Sequence, residues 1–142
     1  MSSTVDSVLE QIETRSESTL DPSQTMEGNN VTSFAVSEGA VAHRYVIDGF
    51  DASNNPSLDE GDSTTECVIL FQNGSPLEGF NGVVAQDLIE VCISLFEDYQ
   101  TTEFKCEENE EVIEHLTKAK ALILQRLRRR ADAGKLGTEQ PD

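Results

Sequence analysis

The sequence predicts an α+β fold, in which a small antiparallel β-sheet precedes a C-terminal antiparallel hairpin of two helices. Two runs rich in β-branched and aromatic residues lie between residues 41 and 72, a composition typical of strands. Two stretches with helical spacing of apolar residues follow between residues 85 and 132. We therefore expect a disordered acidic arm over residues 1–33, the sheet over 34–74 and the helical hairpin over 75–142.

The N-terminal arm is rich in serine, threonine, asparagine and glutamate, which favours disorder because little apolar surface is available to bury. One patch has helical spacing, formed by Val5, Val8, Leu9 and Ile12. It allows an alternative in which a short helix forms against a partner, although isolated helices of that length are marginal in water. We interpret the arm as disordered.

The predicted strands are residues 41–50, VAHRYVIDGF, and residues 66–72, ECVILFQ, with a third around residues 32–36. The acidic loop between the first two, residues 51–64, begins with a D-x-S-x-N order similar to that of a calcium-binding loop. However, Pro56 stands where such a loop needs glycine, and its twelfth position is Asp62 rather than the usual glutamate. We therefore exclude calcium binding.

The first helix of the hairpin is predicted over residues 85–100, after the Asn81-Gly82 turn. Asp87 falls in its first turn, where the helix dipole favours an anion. The apolar residues of this helix recur at helical spacing and form a core-facing stripe: Leu88, Ile89, Cys92, Ile93, Leu95, Phe96 and Tyr99.

The second helix is predicted over residues 107–132, with Gly134 as the residue that ends it. Glutamates crowd its start and arginines its end, which suits the helix dipole. At 1.5 Å per residue it is about 40 Å long, more than the first helix covers. We therefore expect a homodimer through the helices. One continuous apolar face runs along it: Val112, Leu116, Ala119, Ile123 and Leu127.

The chain has 142 residues, which is long enough for one domain. Its net charge of −17 argues against binding to a nucleic-acid duplex. Residues 1–104 carry only two of the ten cations, Arg15 and Arg44, whereas residues 105–142 carry the rest. A small anion could use that basic end. An odd number of cysteines, no leader segment and no apolar run long enough for a bilayer predict a cytoplasmic protein with no membrane partner.

Catalytic and metal chemistry find little support in the sequence. Neither His43 nor His115 has a partner at a metal-ligand spacing, and no nucleophile elbow or phosphate loop is present. We therefore predict no enzyme, no cofactor and no metal site. The three cysteines, Cys67, Cys92 and Cys106, lie on apolar faces, where we expect them to pack.

Four residues are candidates for ligand binding. Tyr99 ends the first helix, where its ring can either fill the core or stack on a base. Asn109 lies in the first turn of the second helix, where its amide can cap backbone or recognise a ligand. Arg126 and Arg130 are four residues apart on one helical face and could hold one phosphate, or form a solvated basic end that can be altered without loss of the fold.

Four strings occur in an order that resembles a known domain: FQNGSPLEGFNG (71–82), DLIEVCISLFEDYQ (87–100), FKCEEN (104–109) and RLRRRADAGKLGT (126–138). The domain is the hairpin shared by the phage Thoeris anti-defence protein 1 family and the anti-CBASS cyclic-nucleotide sponges. The preceding strands fit the Thoeris family better, because its members place a small sheet before the hairpin. Glu107 and Ala133 stand where the family pattern has arginine.

The resemblance implies a phage protein in the cytoplasm of an infected host cell. Such a protein binds a cyclic ADP-ribose isomer (glycocyclic ADP-ribose) made by a TIR enzyme, and sequesters it without cleaving it. The resemblance also implies that Tyr99, Asn109, Arg126 and Arg130 bind this ligand, and that homodimers join into a hexamer. The ligand class has a base to stack and a pyrophosphate to pair with guanidinium groups.

Alternatives from other classes stay open. One is a sponge for cyclic di- or trinucleotides that blocks CBASS-type signalling. Another is an acidic protein-binding module that mimics nucleic acid, which the charge of −17 favours. An enzyme that degrades the signal is the weakest of these alternatives.

Overall fold

The computed structural model describes residues 2–16 and 30–142, and the chain divides into two compact units, Met1–Leu70 and Phe71–Asp142. The α+β class is confirmed: a three-stranded antiparallel sheet is followed by two helices that pack together. The unit boundary lies at residue 70 rather than at residue 74, because the turn motif bonds within the helical unit. None of the described helices has both the length and the apolar composition to cross a membrane.

Helix α1 spans Ser2–Ser16, in a stretch for which composition favoured disorder. The structure therefore has a helix here, which the spacing of apolar residues had indicated as the alternative to disorder. Its apolar residues, Val5, Val8, Leu9 and Ile12, are 50–66% exposed. The part of the predicted arm between residues 17 and 29 lies outside the described residues.

The sheet has the order β1-β2-β3, with β1 at Val31–Phe34, β2 at Arg44–Ile47 and β3 at Cys67–Leu70. Both pairings are antiparallel, and they align Val46 of β2 with Thr32 on one side and Val68 on the other. Central Val46 is the buried residue of the sheet, as expected for the middle strand. The strands are shorter than predicted, because the ladder covers only the centre of each apolar run.

The hairpin consists of α2, Ala85–Tyr99, and α3, Glu107–Asp132. The bounds of α3 are those that the sequence predicts, and α2 ends one residue early. The Asp87 carboxylate accepts a 2.9 Å hydrogen bond from the Val84 N–H and so caps the start of α2. Lys120 of α3 forms an ion pair with Glu90 of α2 across the hairpin.

The packed face of α2 is narrower than the predicted stripe. Ile93 is buried, with Leu88, Ile89 and Phe96 half-buried beside it. The remaining members of the stripe, Cys92, Leu95 and Tyr99, are exposed, as is Val91. A two-helix hairpin buries only one stripe of each helix, so a second apolar stripe of α2 faces away from α3. The predicted face of α3 is half-buried along its length.

The cysteines do not pack as predicted. Cys67, Cys92 and Cys106 are all free thiols with exposed side chains. Cys67 begins β3, Cys92 lies on the exposed side of α2, and Cys106 directly precedes α3. The apolar neighbours of a cysteine in sequence therefore did not indicate its burial.

The motif at residues 71–82 folds into a turn that bonds to itself. The Gln72 amide accepts from the Asn81 N–H at 2.9 Å and donates to the Gly79 carbonyl at 3.1 Å. Asn81 in turn accepts from the Asn73 N–H at 2.9 Å and donates to the Asn73 carbonyl at 2.6 Å. A 3₁₀ turn, Pro76–Glu78, forms the tip. The polar residues of this motif thus build the turn that leads into α2.

Candidate functional site

The predicted site residues lie at opposite ends of the helical hairpin. Tyr99 and Asn109 flank the loop that joins α2 to α3, whereas Arg126 and Arg130 lie in the last turns of α3. At 1.5 Å per residue, about 25–30 Å of helix separates Asn109 from the arginines. One chain therefore brings the residues together in two pairs and does not bring the two pairs together.

The loop end is fixed by Gln100, the residue that follows α2. Its Oε1 accepts from the Cys106 N–H, and its Nε2 donates to the Cys106 carbonyl, both at 3.1 Å. Nε2 also reaches Glu110 Oε2 at 2.9 Å. One amide therefore satisfies backbone groups at the start of α3 and sets the geometry of the loop.

Tyr99 lies at the end of α2 with a partly exposed ring. The ring edge contacts Phe96 in a T-shaped arrangement, with 5.8 Å between centroids and 82° between planes. The side chain is 39% exposed, so one part of the ring packs and another part is open to a stacking partner. The Phe96 contact shows that the ring packs, and the stacking role stays a prediction.

Asn109 stabilises the loop from the first turn of α3. Its Nδ2 donates to the Phe104 carbonyl at 3.2 Å. Within the described residues, no hydrogen bond reaches its Oδ1, so this atom can accept one from a ligand. The Nδ2 group of the amide therefore has the backbone-capping role that was predicted as the alternative.

A cavity of about 550 Å³ opens beside the loop. The residues around it include three glutamates and one lysine, a balance of charge that is unfavourable for phosphates, while most of the exposed lining is apolar. Neither Tyr99 nor Asn109 lines it, although sequence neighbours of both do: Gln100, Lys105, Cys106, Glu107, Glu110 and Glu111.

The arginine end of α3 holds an anionic group, the carboxylate of Asp142. Arg126 Nε and Arg129 Nη2 each donate to Asp142 Oδ2 at 2.9 Å. Arg130 Nη1 donates to Oδ1 at 2.5 Å. The hydrogen bond from Arg130, and then the one from Arg126, lowers the pKa of the Asp142 carboxyl to about 2. We call these three arginines the arginine cluster.

The Arg130 side chain is more buried than its position at the end of a helix predicts. It is 8% exposed, and besides Asp142 it donates to three backbone carbonyls, at 2.9–3.1 Å: Lys135, Thr138 and Gln140. The interpretation of the Arg130 side chain as part of a solvated helix end is therefore wrong, and we expect its loss to destabilise the fold. The Arg126 side chain is 56% exposed, so for this residue the expectation that it can be altered without loss of the fold stays a prediction.

The segment 135–142 returns along α3 because of two glycines. Gly134 ends the helix with φ +70°, and the Lys135 N–H reaches the Arg130 carbonyl at 2.8 Å, as in a Schellman motif. Gly137, at φ +77°, lies against the turn tip, where a Cβ would meet Leu77 Cδ1 and Ser75 Oγ at 2.9 Å. The helix end and the turn tip thus direct the segment to the arginines.

Sequence reasoning missed Arg129 and Asp142. Arg129 follows Arg126 by three residues, so helical periodicity alone places it on the same face as Arg126 and Arg130. Asp142 had no such signal, because its position depends on the path of an irregular segment. Among the residues that the structure describes, no three His, Cys, Asp or Glu side chains are placed to hold a metal ion.

Compared with known protein families and with curated proteins, the sequence matches no family model and no curated relative. The resemblance to the phage sponges therefore stays a prediction based on the four strings quoted above.

Proposed function

We propose that this protein sequesters a cyclic ADP-ribose isomer and so blocks Thoeris immune signalling of an infected cell, without cleaving the signal. The observation that carries the proposal is the arginine cluster, which already holds an anion through three guanidinium groups. A pyrophosphate offers the same cluster more charge and more acceptor oxygens than a carboxylate does. The motif resemblance supplies the identity of the ligand.

The loop end supports the other part of the ligand. Tyr99 offers a partly exposed ring to a base, and Asn109 Oδ1 offers an acceptor. The acidic cavity beside them is unsuited to phosphates. The charge distribution of the hairpin therefore supports a ligand whose nucleoside groups bind the loop end and whose phosphates bind the arginine end.

A shared site follows from the separation of the two ends. Because about 25–30 Å of helix lies between them, one small ligand reaches both ends only where two chains meet. An antiparallel pair of hairpins places the loop end of one chain beside the arginine cluster of the other. The exposed stripe of α2, with Val91 at 66% and Leu95 at 47% exposure, offers an apolar surface for this pairing.

The first experiment identifies the ligand. The protein is incubated with a panel of cyclic ADP-ribose isomers and cyclic oligonucleotides, separated from free nucleotide and heated, and the released material is analysed. Release of an intact cyclic ADP-ribose isomer supports the proposal. Release of a cyclic di- or trinucleotide favours the CBASS sponge, a linear product indicates an enzyme, and no release favours a protein-binding module.

The second experiment tests the shared site. A Tyr99→Ala chain is mixed with an Arg126→Ala/Arg129→Ala chain, in which Arg130 is kept because it holds the fold. Each variant alone should lose capture, whereas mixed dimers should recover one working site in two. Mixed dimers that form and bind nothing would show that the two ends do not meet. Lys118→Ala, which removes an exposed cation elsewhere on α3, is the matched control.

A further inference from the structure

The Asp142 carboxylate occupies the arginine cluster as an anionic ligand would. Its Oδ2 accepts from Arg126 and Arg129, while its Oδ1 accepts from Arg130. Two oxygens of one group thus receive donors from three guanidinium groups, which is how two non-bridging oxygens of a phosphate are held.

We propose that Asp142 is an internal competitor, so that a ligand binds the arginine cluster through a phosphate group only by displacing this carboxylate. The proposal rests on the function proposed above for the identity of the natural anion, a pyrophosphate-bearing nucleotide. The competition itself concerns residues of this chain alone and can be tested with inorganic pyrophosphate.

Displacement of the carboxylate does not require the segment 135–142 to leave. Arg130 holds this segment through the carbonyls of Lys135, Thr138 and Gln140, and none of these bonds involves the Asp142 side chain. The Asp142 side chain is 35% exposed, so it can turn into solvent. Its departure frees one donor on each of the three arginines, and these donors converge on the space that it leaves.

The competitor sets a charge requirement for the incoming group. A ligand must bind the arginines more strongly than the Asp142 carboxylate does, because the chain holds this carboxylate beside them at a very high effective concentration. A single monovalent anion gains nothing by the exchange, whereas a pyrophosphate brings more negative charge and more oxygens to the same donors. Asp142 therefore restricts the cluster to multiply charged anions such as pyrophosphate and excludes singly charged carboxylates.

The test compares the unmodified protein with Asp142→Asn and Glu139→Gln by titration calorimetry with inorganic pyrophosphate. Glu139 lies in the same exposed segment and forms none of the ion pairs of the described residues, so its variant controls for net charge. We expect Asp142→Asn to bind pyrophosphate at least tenfold more tightly than the wild type, and Glu139→Gln to bind as the wild type does. Equal or weaker binding by Asp142→Asn overturns the proposal, as does an absence of binding in all three proteins.

A second measurement uses the unmodified protein and so does not depend on the folding of a variant. The side-chain carboxyl ¹³C signal of Asp142 should move as pyrophosphate is added, together with the Nε–H signal of Arg126. If the Arg126 signal moves while the Asp142 signal stays, pyrophosphate binds beside the carboxylate and the competition is refuted.

The two proposals fail separately. If pyrophosphate displaces Asp142 but no cyclic nucleotide is captured, the competitor stands and the sponge function falls. If a cyclic nucleotide is captured with the same affinity by the wild type and by Asp142→Asn, the sponge stands and the competitor falls.

Discussion

Gln100 and Cys106 form a reciprocal pair of hydrogen bonds across the loop between the helices. The Gln100 amide accepts from the Cys106 N–H and donates to the Cys106 carbonyl, with both distances at 3.1 Å. This pair replaces a side-chain cap at the start of α3, since Cys106 itself provides none. A glutamine that follows the preceding helix therefore binds both backbone groups of the N-cap residue of α3.

Gln100→Ala should destabilise the hairpin by about 1–2 kcal/mol, because it leaves the Cys106 N–H and carbonyl without their partner. Urea unfolding followed by helical circular dichroism measures the change. Gln125→Ala is the control, because Gln125 is exposed on α3 and the described hydrogen bonds do not include its side chain. Equal effects of the two substitutions would contradict the role of Gln100.

Arg130→Ala should destabilise the helical unit by about 2–3 kcal/mol, because it removes charge-assisted hydrogen bonds that fix the segment 135–142. Arg126→Ala should cost less than about 1 kcal/mol, since exposed ion pairs contribute little. Thermal unfolding compares the variants. Amide exchange in residues 135–142 should increase only in Arg130→Ala, and similar exchange in both variants would refute the anchoring role.

Gly137→Ala should destabilise the helical unit more than Gly134→Ala does. Both positions have positive φ, so each alanine carries a backbone cost of about 1–2 kcal/mol. Only at residue 137 does the new methyl group also clash with Leu77 and Ser75, because a Cβ at residue 134 would meet no atom within 4 Å. Urea midpoints of the two variants measure the difference, and identical midpoints would mean that the turn tip yields without cost.

Leu95→Glu should dissociate the proposed dimer without unfolding the chain, because Leu95 is 47% exposed on the stripe of α2 that faces away from α3. Light scattering should give a multiple of 15.6 kDa for the wild type and 15.6 kDa for the variant. Val36→Glu, at a position that is 92% exposed in the other unit, should leave the assembly intact. A wild-type monomer at micromolar concentration would contradict the shared site.

The pKa of Asp142 should be about 2, below the ordinary value of 3.8, because the folded state favours the charged form. The contact is therefore complete above about pH 4, and its contribution is lost as the pH falls through about 2. Carboxyl ¹³C titration by NMR measures this value. Arg126→Ala should raise the pKa towards 3.8, whereas Lys118→Ala should leave it unchanged; no response to Arg126→Ala would show that Arg129 and Arg130 hold the carboxylate without it.

The two helices of the hairpin were predictable because their signals are local, whereas α1 lies in a stretch that we interpreted as disordered. Glutamates at the start of α3, a periodic apolar face and Gly134 all indicate the same bounds, Glu107–Asp132. The strands were predicted too long, since β-branched content reports a propensity, whereas the ladder depends on which partner residues are opposite.

The arginine cluster was only half predictable, because its geometry depends on a non-local path. Periodicity places Arg126 and Arg130 on one face, but it does not reveal that Arg130 is covered by a returning segment. That covering depends on the left-handed conformation of Gly134 and on the close approach of Gly137 to Leu77. Similarly, the exposed side of α2 was not distinguishable from the packed side, because both carry apolar residues.

The close approach of Gly137 to Ser75 and Leu77 has a consequence for the kinetics of folding. Residues near 75–77 and near 137 are far apart in sequence, so we expect them to meet only after both helices have formed and paired. Contacts made after the folding transition state do not affect the rate of folding, but they slow unfolding. We therefore expect the segment 135–142 to slow the unfolding of the hairpin and to leave its folding rate unchanged.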